Sequence, residues 1–178
     1  MGSLKRWGLS LRGAAGRTAW VAMVVLFSAC ARERMVGLNE NIHHDDFEYR
    51  VTQFLVTDAI GSGELRRQAS GRFYIVTFEV GNRAKRVGHD WDNAIAYIID
   101  ERGRSYENLP ELQQALNIVQ PFNYAPKHST PAGETGSTRL VFDLPRDLER
   151  PCLMMRGELL MGDVFDGKAF TKTKVKLY

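Results

Sequence analysis

The residues most able to do chemistry fall in two short polar stretches. His43-His44-Asp45-Asp46 opens one, and His89, Asp90 and Asp92 lie in the turn Gly88-His89-Asp90-Trp91-Asp92-Asn93. Imidazole and carboxylate together form a donor set for zinc or copper. Neighbouring residues on a strand point to opposite faces, so His43 and His44 do not chelate as a pair. A solvated strand entry and an Asx-type turn account for the same residues without a metal. Metal binding through His43, His44, His89 and Asp90 in a periplasmic protein is therefore the second reading; the first holds no metal and no cofactor.

Nucleophiles are as sparse. Cys152 sits in the apolar run Pro151-Cys152-Leu153-Met154-Met155, where a thiol is expected to be buried and inert, or paired with another chain. Hydroxyls are plentiful, but no Ser-His-Asp spacing stands out, so the chain is expected not to be an enzyme. Loop aromatics remain as ligand-contact candidates: Trp91, Phe122 and Tyr124. Such residues at the loop ends of a sandwich serve as anchors, or they cap the core. Arg83-Ala84-Lys85-Arg86 reads as a solvated turn, with contact to anionic lipid headgroups as the sharper alternative.

The charge balance narrows the partners. The formal charge is +3, but Lys5, Arg6, Arg12 and Arg17 lie in the first 29 residues, which carry no acid. Without them, 20 Lys and Arg face 21 Asp and Glu, a net charge near −1. Nucleic acid is set aside, because such binding draws mainly on phosphate neutralisation.

That N-terminal segment is organised as a leader. A basic region precedes the apolar run Thr18–Phe27, too short to span a bilayer comfortably, and small residues follow. Leu26-Phe27-Ser28-Ala29-Cys30 resembles the bacterial lipobox, with Phe27 where leucine is usual. The resemblance implies cleavage after residue 29 and acylation of Cys30, palmitate being one such chain. Two or more buried chains hold a protein stably. Ala31, rather than aspartate, then favours the outer membrane where two membranes exist. The expected partners are the membrane, through the lipid on Cys30, and another envelope protein.

The remaining chain must position the loops. Residues 30–44 read as a lipidated N-terminus and tether, and 45–178 as one domain. Phe47, Tyr49 and Val51 alternate onto one face, then the phase slips at Phe54 and Val56, which predicts a β-bulge near Thr52-Gln53. Gly71–Asn82 is apolar on both faces and predicts a central buried strand. Strands are also expected at 94–100, from Ser105, at 137–144, at 151–160 and at 170–178, the last as an edge strand with Lys172, Lys174 and Lys176 outward. Loops are expected at 61–71, 82–93 and 121–136. Leu112, Ala115, Leu116 and Val119 recur at helical spacing between Pro110 and Pro121, so one short helix is inserted at Leu109–Val119.

About seven strands with one helix predict an all-β, antiparallel sandwich of the immunoglobulin-like kind. Four motifs stand in order: Phe78-Glu79-Val80-Gly81-Asn82, Asp100–Glu107, Pro131-Ala132-Gly133-Glu134 and Leu140–Asp147. Their order resembles the family called domain of unknown function 4352, over about residues 45–178. The resemblance implies an immunoglobulin-like β-sandwich, secreted or lipid-anchored, with no catalytic residues to carry over. The inserted helix and the basic run after Asn82 depart from the family pattern. The function expected is a lipid-anchored binding or structural module of the cell envelope.

Overall fold

Phe73, Ile75, Val76, Phe78 and Val80 are all buried, and they belong to a strand with apolar cover on both faces. The computed structural model describes residues 32–44, 46–122, 127–156 and 171–178. The leader, Cys30, Asp45, Tyr124 and the last residues of the strand expected at 151–160 lie outside them. Strands run β1 Arg32–Val36, β2 Ile42–His44, β3 Phe47–Ile60, β4 Arg67–Asn82, β5 His89–Asp92, β6 Ala96–Ile99, β7 Ser105–Tyr106, β8 Lys127–Thr130, β9 Thr135–Leu144, β10 Cys152–Met155 and β11 Thr171–Lys176. The helix α1, Pro110–Val119, has proline in its first turn.

Among the described residues, these strands form a four-stranded sheet β2-β3-β4-β9, a five-stranded sheet β1-β11-β10-β6-β7 and the ribbon β5-β8. Val51, Val76, Phe78, Val80, Leu140 and Phe142 from the first sheet pack against Val36, Ile98, Leu153 and Val175 from the second. The chain is an all-β sandwich. It crosses between the layers so that β4 lies beside β9 while β6 lies beside β10. That interlock is the immunoglobulin-like one, in which B pairs with E and C with F.

Why β4 is apolar on both sides is now plain. Val76, Phe78 and Val80 face the inter-sheet core, whereas Phe73 and Ile75 form a second cluster with Ile60, Val141, Leu112 and Leu116. The last two belong to α1. The inserted helix covers the outer face of β4 and β9, so an amphipathic segment and a two-faced strand account for each other. A buried side-chain chain ties the helix to the opposite sheet: Asn93 Nδ2 donates to Gln113 Oε1, Gln113 Nε2 to Asn108 Oδ1, and Asn108 Nδ2 to Asn93 O.

The phase slip in β3 is a register shift between Val51 and Gln53 against β4, and a second follows between Thr57 and Ala59. At Gly71 the backbones of β4 and β9 nearly touch, for a Cβ there would lie 1.9 Å from the Leu144 carbonyl oxygen. The Asp143 carboxylate clasps this point, accepting from Ser70 N, Ser70 Oγ and Gly71 N at 2.6–3.0 Å.

Several expectations need correction. Residues 42–44 are a strand, not tether, because β2 pairs antiparallel with β3, and so are 32–36, because β1 finds a parallel partner in β11. For the same reason β11 is not an edge: it lies between β1 and β10, and Lys174 meets Glu33 at 2.8 Å. The sandwich is thus not wholly antiparallel. The loop expected at 61–71 shortens to Gly61–Arg66, since β4 begins at Arg67. β5 and β8 replace parts of the loops expected at 82–93 and 121–136, pairing with each other in the register His89–Thr130 to Asp92–Lys127.

A candidate ligand-binding cleft

The end of the sandwich where β4 finishes and β6 begins is built around a single amide. Asn82 is wholly buried. Its Nδ2 donates to Val87 O at 2.7 Å and to Thr130 O at 2.9 Å, and its Oδ1 accepts from Ala84 N at 2.9 Å. Its backbone binds the Pro131–Glu134 turn, donating to Glu134 O and accepting from Gly133 N. Asn82 therefore fixes the Arg83–Gly88 loop and the start of β9 together, which positions β5 and β8 between them.

Trp91 anchors β5. Its Nε1 donates to Thr130 Oγ1 at 2.9 Å, its ring meets Phe78 edge-on, and one face stacks on His128 at 4.1 Å between centroids. It belongs to the core cluster rather than to an exposed loop. The loop placement expected for Trp91 fails because His89–Asp92 has the alternation of a half-buried strand, with His89 and Trp91 turned in and Asp90 and Asp92 out.

Beside this wall lies a cleft of about 960 Å³, at the upper end of the range for small-ligand sites. Phe47 stacks on His89 at 3.8 Å, and Tyr49 Oη lies 3.3 Å from His89 Nε2. His44 approaches Tyr49 edge-on at 5.7 Å. His128, Lys127, Asp90, Asp92 and Arg156 complete the polar lining. Arg156 is held from two sides: it pairs with the Glu107 carboxylate, and its Nη1 donates to Ala94 O at 2.9 Å. The hydrogen bond from Arg156 keeps the Glu107 carboxyl below its usual range, so both stay charged.

His128 is the electrostatic exception. Its Nε2 is buried and finds no hydrogen-bond partner among the described residues. Burial lowers its pKa from the ordinary imidazole value, against the opposing pull of Asp92. A neutral, stacked imidazole thus backs the cleft.

The sequence-derived candidates separate in space. His44, His89 and Asp90 line the cleft, but His43 points the other way, its Nδ1 3.4 Å from Glu48 Oε1. Glu48 is held mainly by Arg83, whose hydrogen bond lowers the carboxyl pKa. Among the described residues, no three His, Cys, Asp or Glu side chains gather as a metal would require. The metal reading loses its geometry because His43 and His44 lie on opposite faces of β2. Phe122 is distant in role: its ring carries Arg139 at 4.9 Å. Cys152 is buried and unbridged, and burial raises its thiol pKa.

Phe47, Tyr49, His128 and Arg156 were not singled out as site residues from sequence. His128 carried no such signal, since Lys127-His128-Ser129-Thr130 is polar throughout and its alternation of exposed and buried positions exists only in the fold. Only the pairing of β8 with β5 brings it to Trp91.

No protein-family model matches the sequence, and no curated protein is similar to it. Several solved structures share the fold. The yjhA protein of Bacillus subtilis superposes with a TM-score of 0.55 at 11% identity, covering 80% of this chain and 98% of that one. The secreted protein MPT63 of Mycobacterium tuberculosis gives 0.51 at 15% identity, covering 72% and 93%. An uncharacterized β-sandwich protein of Clostridium difficile gives 0.50 at 14% identity, covering 83% and 95%.

Proposed function

We propose that this protein is a non-enzymatic binding module of the bacterial cell envelope, held by acyl chains on Cys30, with the cleft beside Trp91 as its ligand site. Kinship with the domain of unknown function 4352 family, and residence at the outer membrane where two membranes exist, belong to the same reading. The observation that carries it is the cleft itself: aromatic walls from Phe47, Tyr49 and His89 under a rim of Lys127, Asp90, Asp92 and Arg156. That lining suits a small polar ligand with one apolar face. The lipobox-like Leu26–Cys30 supports the location, and one protein of the same fold is described as secreted.

Two measurements test the two halves. Replacing Cys30 by serine is expected to move the protein from the membrane to the soluble fraction; a Cys30→Ser form that stays in the membrane overturns the anchor. For the cleft, Trp7 and Trp20 lie in the leader, so Trp91 is the sole tryptophan after residue 29. Amide NMR and Trp91 fluorescence of the processed chain are followed with N-acetylglucosamine, glycerol phosphate and an alanyl dipeptide as probes. Shifts gathered at His44, Tyr49, His89 and His128 support the cleft. Shifts gathered elsewhere, or none with any probe at millimolar concentration, remove it.

A further inference from the structure

We infer that the cleft-bearing end of the sandwich faces the membrane, with the Lys85-Arg86-Val87 tip seated among anionic phospholipid headgroups; this rests on acylation of Cys30. The tether is what the structure takes away. A free linker over residues 31–41 would reach about 35 Å and leave the domain free to turn. Strand β1 instead begins at Arg32, in register with Thr171. In the sequence a single residue, Ala31, stands between the proposed acylation position and a strand bonded into the sheet, so no long linker separates the two.

Which end this is follows from the register. β1 runs parallel to β11, β11 antiparallel to β10, and β10 antiparallel to β6 with Met155 opposite Ala96. The start of β1 therefore lies level with the end of β10 and the beginning of β6. Arg156 N donates to Ile95 O at that level, and Ala94, Ile95 and Arg156 line the cleft. The Arg83–Gly88 loop leaves β4 at the same end and closes onto Asn82. At its tip Lys85 and Arg86 are exposed, and Val87 is 66% exposed. Among the described residues neither cation has an ion-pair partner, whereas Arg83 is committed to Glu48. Two exposed cations beside an exposed aliphatic side chain match an anionic interface. Asp46, Asp90 and Asp92 lie near this end too, so the attraction belongs to the loop tip and not to net charge.

The test uses the acylated chain in phosphatidylcholine vesicles, with and without phosphatidylglycerol. In a Cys152→Ser background, a fluorophore is placed at Val87→Cys or at Glu64→Cys, the latter in the β3–β4 hairpin at the opposite end. Lipid-borne nitroxide is expected to quench position 87 several-fold more than position 64, more strongly with phosphatidylglycerol. Lys85→Glu with Arg86→Glu is expected to abolish the phosphatidylglycerol increment. Equal quenching at both positions, or stronger quenching at 64, overturns the orientation. An increment that survives the double charge reversal overturns the headgroup contact. Mass spectrometry of the N-terminal peptide separates the two readings: a lipid-free Cys30 sinks the anchor and the orientation together, while an acylated chain with unquenched position 87 sinks the orientation alone.

Discussion

The side-chain amide of Asn82 donates to the carbonyl of Thr130 at 2.9 Å, joining positions 48 apart in the chain. One buried side chain thus holds β4 to β8, and through Val87 and Ala84 it shapes the basic loop. Asn82→Ala leaves these groups without their partner, at about 1–3 kcal/mol for an unsatisfied buried group. We expect a loss of about 2–3 kcal/mol in urea unfolding, with accelerated amide exchange in residues 83–88. Unchanged exchange there would show that the loop does not depend on Asn82.

Gly71 and Gly103 are glycine for different reasons. At Gly71 the added methyl would run into the backbone of Leu144 and Pro145, which cannot move aside without opening the β4–β9 pairing. Gly71→Ala should cost about 3 kcal/mol or more. Gly103 has φ +76 with open space around it, so Gly103→Ala carries only the left-handed penalty of about 1–2 kcal/mol. Thermal unfolding of both variants checks the order, which is the informative part.

Leu116 is 2% exposed on the face of α1 that covers β4. Leu116→Ala should destabilise by about 2–4 kcal/mol, through lost transfer energy and a residual cavity. A loss below about 1 kcal/mol would mean that the helix rests on the sheet without contributing to the fold.

His128 makes stability depend on pH in a stated direction. Its folded pKa is lowered from 6.5, first by burial, so the unfolded chain binds the proton more readily. The stabilisation is complete above 6.5 and is lost as the pH falls through the lower folded value. His89, Asp90, Asp92, Lys127 and Arg156 line the same cleft. His128→Phe keeps a ring against Trp91 and removes the proton site. Denaturant midpoints for the two proteins should converge as pH rises and diverge below 6.5, the native chain losing more. Parallel profiles would refute the assignment.

Much of the architecture was legible without coordinates because it is written in local period. The bulge in β3 showed as a phase slip, α1 as an i, i+3, i+4, i+7 pattern bounded by prolines, and the two-faced burial of β4 as an unbroken apolar run. Strand β9 was expected at 137–144, within the Thr135–Leu144 observed. What was missed involves partners distant in sequence. Arg32–Val36 has no apolar period and is a strand only because β11 accepts it. Trp91 looked exposed because its neighbours are polar, yet Thr130, His128 and Phe78 enclose it.

The candidate site divides the same way. The sequence alone offered His43, His44, His89 and Asp90 as donors and Trp91, Phe122 and Tyr124 as contact candidates, and it carries the lipobox-like segment ending in Cys30. That strands carry them was not legible, since residues 30–44 read as tether and 82–93 as loop until β2 and β5 found their partners in β3 and β8. Only the tertiary structure decided that His43 turns away to Glu48, that His128 and Arg156 arrive from strands far along the chain, and that the cleft stands at the end where β1 begins. Those are matters of strand register between distant segments, and register is decided by the whole core at once.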